Sequence, residues 1–345
     1  MKAVGYYASH PIEHPESLLD LELPAPEPGP LDLLVEVRAS AVNPLDTKVR
    51  RRRASPDGRT PVVTGWDAVG VVRAMGAQVR GFAVGDRVWY AGAIDRPGSH
   101  AQLQCVDHRI ASRAPASLDD AQAAALPLTA ITAWELLFDR LQVQQQPQRE
   151  VALLATGAAG GVGSILVQLA RSQPHLRVVA TSSDPQGAGG DWLRRLGAQV
   201  VISHREPLAA QIAELQRTQG LPPLRYAASL THTPQHFAEL VAALEPQGRL
   251  GLIDDFEPQA VDVMALKGKA LSLHWEMMFA RPLHQTHDLA EQGRLLAEVA
   301  RRIDAGEIAS TLGQNLGPIN AANLKKAHAL LEGGHTQGKL VLQGF

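Results

Sequence analysis

The sequence predicts an α/β protein made of a β-rich domain and a domain with a doubly wound parallel sheet. Three observations carry the prediction. An apolar run at residues 151–156 (Val-Ala-Leu-Leu-Ala-Thr) meets a glycine-dense turn at 157–164 (Gly-Ala-Ala-Gly-Gly-Val-Gly-Ser) and resumes at helical spacing over 165–171. After it, short apolar runs alternate with amphipathic stretches of helical length, the pattern of strands joined by crossover helices in one parallel sheet. Before it, up to about Ala125, short runs are broken repeatedly by proline and glycine, the pattern of a small β-rich domain.

In order along the chain, residues 33–38 alternate apolar and polar, and 69–73, 85–90 and 101–105 follow as strands with turn residues between them. The proline-rich stretch 24–30 lacks backbone donors and reads as a surface connection. Arg50-Arg-Arg-Arg53, ahead of Ser55-Pro-Asp-Gly58, reads as a solvated charge run in a loop rather than a phosphate clamp. At 121–137 the pattern turns helical, which marks the expected crossing between domains. Strands are then expected at 151–156, 176–181, 199–202, 224–228 and 249–253, helices at 165–171, 192–196, 208–218 and 235–244, and a last strand of that sheet at 271–275. Two amphipathic helices, 288–304 and 321–332, and a strand at 339–342 close the chain.

Composition bounds what such a protein does. At 345 residues the chain has about twice the usual single-domain length, so two domains are expected. A hydrophobic content of 45% suffices for real cores, and a formal charge of -2 gives no electrostatic reason to expect nucleic acid or an anionic membrane as partner. The single cysteine, Cys105, excludes an intramolecular disulfide and any zinc site of several thiolates, and fits a reducing, cytoplasmic setting. The first residues are strand-like without a secretory apolar core, and no window approaches the roughly 18 uncharged apolar residues of a membrane span.

The glycine turn points to a dinucleotide. Glycines let the backbone turn sharply and approach a pyrophosphate, while the first N–H groups of the next helix and its positive dipole end hold the anion. Gly157, Ala159, Gly160, Gly161 and Val162 are the expected contacts. The first glycine stands three residues before Gly160, against two in the fingerprint G-x-G-x-x-G. In an NAD-binding unit an acidic side chain about 20 residues on bonds the ribose 2′-hydroxyl. Here the second strand ends in Thr181-Ser182-Ser183, with Asp184 just beyond. Ser182 accommodates a 2′-phosphate without charge repulsion, so NADPH is the expected cofactor, with Arg194, Arg195, His204 and Arg205 as sources of positive charge.

With these motifs in view the chain resembles the medium-chain dehydrogenase/reductase superfamily, in its quinone-oxidoreductase-like branch. The resemblance is carried by Ala41-Val-Asn43-Pro44-Leu-Asp46, Gly65-Trp66-Asp67-Ala-Val-Gly70, Gly85-Asp-Arg-Val88, the Ala-Ala-Leu-Pro-Leu-Thr segment ending at Thr129, the glycine turn and Gly338-Lys339-Leu-Val-Leu342. Residues 128–140, His274-Trp-Glu-Met-Met-Phe279 and the Gly-Phe terminus are similar to the subgroup labelled zinc-type alcohol dehydrogenase-like. The resemblance implies a GroES-like catalytic domain from 1–125 and 280–345, a Rossmann NADP-binding domain at 126–279, and a homodimer paired near residues 271–274. It implies cofactor-side roles for Asn43, Thr132, His204, Arg205, Leu252, Ile253 and Lys339. Catalytic-zinc members carry a cysteine in the segment matching 43–46 and a histidine after the glycine matching Gly65. This chain has Asn43 and Trp66 there, so no functional metal is expected.

Without a Lewis acid, reduction of an isolated carbonyl leaves an alkoxide that is hard to stabilise. Hydride delivered to a quinone, or to the β carbon of an enone, leaves a delocalised anion that hydrogen-bond donors can hold. The expected activity is therefore zinc-independent, NADPH-dependent reduction of a quinone or α,β-unsaturated carbonyl; the alternatives are an alcohol or aldehyde reductase of the same fold and a non-catalytic NADPH-binding protein. Asn43, Asp46 and Tyr90 are the expected catalytic residues, the last as proton donor. Trp66, Thr129, Trp275, Met277 and Met278 are expected to line the acceptor pocket, and Cys105, beside no evident base, is expected to be inert.

Overall fold

A computed structural model describes every residue of the chain except Gln146 and His335. In chain order the elements begin with β1 (Lys2–Gly5), β2 (Leu19–Glu22), β3 (Asp32–Val42), α1 (Pro44–Arg52), β4 (Ala68–Met75), β5 (Arg87–Tyr90), β6 (Leu103–Asp107) and β7 (Ala111–Arg113). Helices α2 (Asp120–Ala124) and α3 (Pro127–Trp134) follow, the latter running into a π-helical turn over Glu135–Arg140. Next come β8 (Val151–Thr156), α4 (Gly161–Arg171), β9 (Leu176–Ser182), α5 (Ala188–Leu196), β10 (Val200–Ser203), α6 (Leu208–Gln219), β11 (Leu224–Ser229), α7 (Thr233–Ala243), β12 (Arg249–Leu252) and β13 (Ser272–Trp275). The chain closes with α8 (Ala280–His284), α9 (Glu291–Asp304), β14 (Leu312–Asn315), α10 (Ala321–Glu332) and β15 (Lys339–Gln343). It divides into two compact units, one of Met1–Ile131 with Phe279–Phe345 and one of Thr132–Met278.

The first unit is built on a sheet in the order β14-β15-β3-β4-β5-β7, with β6 also paired to β3. Strand β15 runs antiparallel to β3, setting Leu340 opposite Val42 and Gln343 opposite Ala39. The two ends of the chain therefore share one hydrogen-bonded ladder. Strand β3 buries Leu33, Val35 and Val37, which join Val72, Val88, Leu340 and Leu342 in one core, and its intervening residues are the more exposed ones. That alternation is what the sequence displays at 33–38.

The arginine run departs from its expected form. Residues Arg50–Arg52 form the last turn of α1, where cations complement the helix dipole, and Arg50 is fully buried. Its guanidinium bonds Nδ1 of His328 at 3.2 Å, the His10 carbonyl and the carboxylate of Glu332. A run of four like charges hides this, because one position in it faces inward at helical spacing.

The second unit is an all-parallel sheet in the order β10-β9-β8-β11-β12-β13. Strand order reverses direction between β8 and β11, and in such sheets ligands bind at the carboxyl ends of the strands at this switch point. All six residues of β8 are buried, which explains its unbroken apolar run: crossover helices cover both faces of a parallel sheet. Contrary to the expectation that no such window exists, the helical run Asp120–Arg140 is long and apolar enough to cross a membrane, but 83% of that window is buried inside the protein. It has the character of a core helix.

Candidate active site

In the second unit, β8 delivers the chain into the glycine turn. Gly157 has φ of +66°, a conformation side chains rarely adopt, and a Cβ there would lie 2.7 Å from Cγ2 of Thr231. Gly160 is the N-cap of α4 and provides no side-chain cap. The first-turn N–H groups, those of Gly161 and Val162 among them, therefore have no partner of the helix's own making. Gly163 lets α4 lie against the turn, since a Cβ there would come within 2.4 Å of Cα of Ala158. The result is a backbone cradle at a positive helix end, the physical requirement for a pyrophosphate.

Beside it, β9 and β10 pair in parallel with Ser203 opposite Ser182. Ser182 is buried, and its hydroxyl accepts the Asp184 N–H at 3.1 Å. The His204 N–H donates to the Ser182 carbonyl at 3.4 Å, and Arg205 is exposed. Farther along the same edge, Leu252 is buried at the end of β12, Ile253 follows it, and the Glu276 N–H donates to the Leu252 carbonyl at 2.9 Å.

Glu276 was not legible as a site residue. Its carboxylate is buried, bonds Nε of Arg140 at 2.9 Å, and stands beside Glu135, also buried, on the π-helical turn. Burial, then the charge of Glu135, pushes the Glu276 carboxyl well above the ordinary carboxylate range, which favours a proton shared on this pair. Of the residues expected to line an acceptor pocket, Trp275 and Met277 flank Glu276 and are about half exposed, at 53% and 49%. Met278 is buried. Thr132 is buried on α3.

In the first unit, four side chains from three separate stretches of the sequence form one buried network. The Asn43 amide donates to Oδ2 of Asp67 at 2.8 Å, and its carbonyl accepts from Nζ of Lys339. Lys339 also bonds Oδ2 of Asp67 at 2.7 Å, while Oδ1 of Asp67 accepts the Leu128 N–H at 2.6 Å. Asp46 reaches back from the first turn of α1 to the Asn43 N–H at 2.7 Å and takes the Gly65 N–H at 2.8 Å. Burial pushes the Asp46 carboxyl up to about 7 and raises that of Asp67 as well, with Lys339 pulling both back down. Asp67 sits in the quoted motif but was not singled out. Only the fold shows that it is the hub joining Asn43 to Lys339.

This geometry corrects several expectations. Asp46 is fully buried with both oxygens engaged, so it positions Asn43 and the Gly65 backbone rather than reacting. Tyr90 is fully buried in the β-rich core, its hydroxyl has no hydrogen-bond partner among the described residues, and burial drives its phenol far up. A group so placed is packing, not a proton donor. Trp66 is likewise interior: its indole N–H donates to the Ala93 carbonyl at 3.1 Å and its ring meets Phe279 edge-on. Thr129 is buried with its hydroxyl on the Leu126 carbonyl at 2.9 Å, a bond back to the residue just before its own helix. Cys105 borders a small cavity of about 50 Å³, and burial pushes its thiol up to about 11, away from thiolate reactivity.

Among the described residues, one group of three donors lies close enough to share a cation: His10, His14 and Glu16, in the loop after β1. It includes neither Asn43 nor Trp66. Asn43 presents a tied amide and Trp66 an indole N–H, which has no lone pair to offer a metal.

Comparison with known proteins gives a consistent picture. The model of the alcohol dehydrogenase GroES-like domain matches residues 29–115, and that of zinc-binding dehydrogenases matches 196–342. A zinc-type alcohol dehydrogenase-like protein of Staphylococcus aureus is 34% identical over 344 residues, 99% of each chain. Among solved structures, a Rhizobium etli protein described as a candidate zinc-dependent alcohol dehydrogenase is 51% identical, with a TM-score of 0.94 over 100% of this chain and 98% of its own. A mycobacterial protein in complex with NADPH is 25% identical, with a TM-score of 0.79 over 99% of both chains.

Proposed function

The chain belongs to the zinc-type alcohol dehydrogenase-like family of the medium-chain dehydrogenase/reductase superfamily, and from that membership we propose that it is an NADPH-dependent oxidoreductase that reduces quinones or α,β-unsaturated carbonyls without a catalytic metal. The observation that carries the metal-free reading is the donor set, in which Asn43 and Trp66 stand where zinc ligands would be and both are committed to the protein's own hydrogen bonds. NADPH is supported by the glycine cradle, the unrepelling Ser182 at the end of β9 and the NADPH bound by the mycobacterial relative.

When bound, the dinucleotide supplies a hydride. The protein's own residues do the rest. The turn at 157–163 and the first N–H groups of α4 hold the pyrophosphate, and Ser182, His204 and Arg205 receive the 2′-phosphate. Leu252 and Ile253 shape the nicotinamide end, with Thr132 a further contact. An amide has two N–H bonds and an ammonium three; Asn43 spends one on Asp67, and Lys339 spends two on Asn43 and Asp67. Among the described residues each therefore keeps an N–H for an oxygen on which delocalised negative charge develops. Trp275 and Met277 offer the apolar surface for a conjugated acceptor.

We further propose a homodimer paired through β13, which is the end strand of its sheet and so has an unpaired edge. Light scattering that gives a monomer mass would exclude it. The activity is tested by following NADPH oxidation against a quinone, an enone and a simple aldehyde, with and without a chelator. Turnover confined to the aldehyde, or lost on chelation, would refute the proposal.

A further inference from the structure

Three histidines gather at the carboxyl edge of the parallel sheet, and the proposed function uses only His204 among them. His204 follows β10 directly, and its N–H bonds the Ser182 carbonyl at the end of β9. His236 lies in the first turn of α7, which follows β11, with its ring centroid 6.1 Å from that of His204. His232 is the N-cap residue of α7, held at φ of +53°, with its Nδ1 2.9 Å from the Thr231 hydroxyl. Strands β9, β10 and β11 thus deliver Ser182, the His204 ring and the His236 ring to the sheet edge where ligands bind.

We infer that His204 and His236 together hold the 2′-phosphate of the dinucleotide, so that the choice of NADPH over NADH is coupled to uptake of a proton by this pair. The inference rests on the cofactor reading given above and adds the side chains and the ionisation that enforce it. Two imidazoles at this separation are close enough for one anionic oxygen to accept a ring N–H from each. Without an anion they repel when both are protonated; with a phosphate dianion between them they are stabilised as cations.

The surroundings support a neutral pair in the free protein. Burial holds His204 below its ordinary range, and His236, Arg205 and His232 add to the effect. Burial and then His232 do the same for His236. The carboxylates on neighbouring elements do not offset this. Asp254 bonds the Thr233 N–H and hydroxyl, Glu239 takes the Ala209 N–H, and Asp191 pairs with Arg194 on α5. Asp184 follows Ser183 and sends its N–H back to Ser182. The ordinary alternative for 2′-phosphate recognition, fixed charges alone, would give no proton uptake, and Arg205 is a fixed cation beside His204. A phosphate's second pKa of about 6 leaves it largely dianionic near neutrality, the state that draws protons onto the histidines.

The experiment is calorimetric titration of the full-length protein with NADPH and with NADH between about pH 6 and 8, in buffers of different ionisation enthalpy. NADPH binding is expected to take up close to one proton and to weaken about tenfold per pH unit on the alkaline side, while NADH binding stays flat. The double variant His204→Asn with His236→Asn should abolish both the uptake and the pH dependence. His204→Lys should keep tight NADPH binding at high pH with reduced uptake. NADPH preference that is flat with pH, or proton uptake unchanged in the double variant, overturns the inference and leaves the cofactor reading intact. Binding of NADH as tight as NADPH at every pH overturns the cofactor reading instead, and the inference with it.

Discussion

Removing the ammonium of Lys339 tests the buried network most directly. Lys339 is 4% exposed and Asp67 fully buried, and the two meet at 2.7 Å. Lys339→Met keeps the length and volume of the stem but deletes the charge, leaving Asp67 to stay ionised without its cation or to take up a proton. Losing one partner of a buried pair costs about 3–5 kcal/mol, most of it the stranded charge rather than the lost bond. Asp67→Asn in the same chain removes that charge, so the double variant is expected to recover about 2 kcal/mol or more relative to the sum of the single losses. Urea unfolding followed by tryptophan fluorescence reads this, because Trp66 and Trp89 are both buried in the unit that contains the network. The single losses should also shrink as the pH falls and Asp67 protonates in the Lys339→Met protein. Losses that add within about 0.5 kcal/mol, or a Lys339→Met loss below about 1 kcal/mol, would show that the pair is not coupled and refute the reasoning.

Three further outcomes follow from particular contacts. Gly163→Ala puts a Cβ within 2.4 Å of the Ala158 backbone, so the start of α4 must shift and NADPH affinity should fall by at least tenfold, about 1.4 kcal/mol, in a fluorescence titration; unchanged affinity would mean the cradle is not the phosphate site. His328 is fully buried, and burial lowers it to about 3. A depressed histidine contributes stability that is full above its unfolded pKa of about 6.5 and lost as the pH falls toward 3, so the stability difference between wild type and His328→Gln should shrink by about 1.4 kcal/mol per pH unit over that window; a difference constant from pH 7 to about 4 would contradict a neutral buried ring. Asp46, raised to about 7, has the opposite sign: its protonated form is favoured in the fold, so stability is lost as the pH rises from about 4 toward 7, and Asp46→Asn should flatten that part of the profile in urea titrations.

Much of the architecture was legible because its signals are local. The strand, turn and helix at 151–171 appear in the sequence as an apolar run, a glycine cluster and a helical stripe, and each reflects a constraint on neighbouring residues: burial on both faces of β8, backbone room at Gly157 and Gly163, the packed face of α4. The alternation of strands and helices to Trp275 is legible for the same reason. What misled was a property of single positions. Arg50 looked solvated among its neighbours because charge is read in runs while burial is set by helical phase. Tyr90 and Trp66 looked available for chemistry because residue type carries no record of which face of a strand or loop is inside.

By itself the sequence determined the order and type of the main elements, the glycine-rich turn ahead of α4 and the residue types at 43 and 66, since each depends on residues close together along the chain. The tertiary structure alone decided that Asp67 joins Asn43 to Lys339, that Glu276 meets Glu135 and Arg140, and that His204 meets His236. Those contacts link positions separated by tens to hundreds of residues. Their energies come from burial and charge pairing, which exist only once the sheets have brought the side chains out of water and into reach of one another.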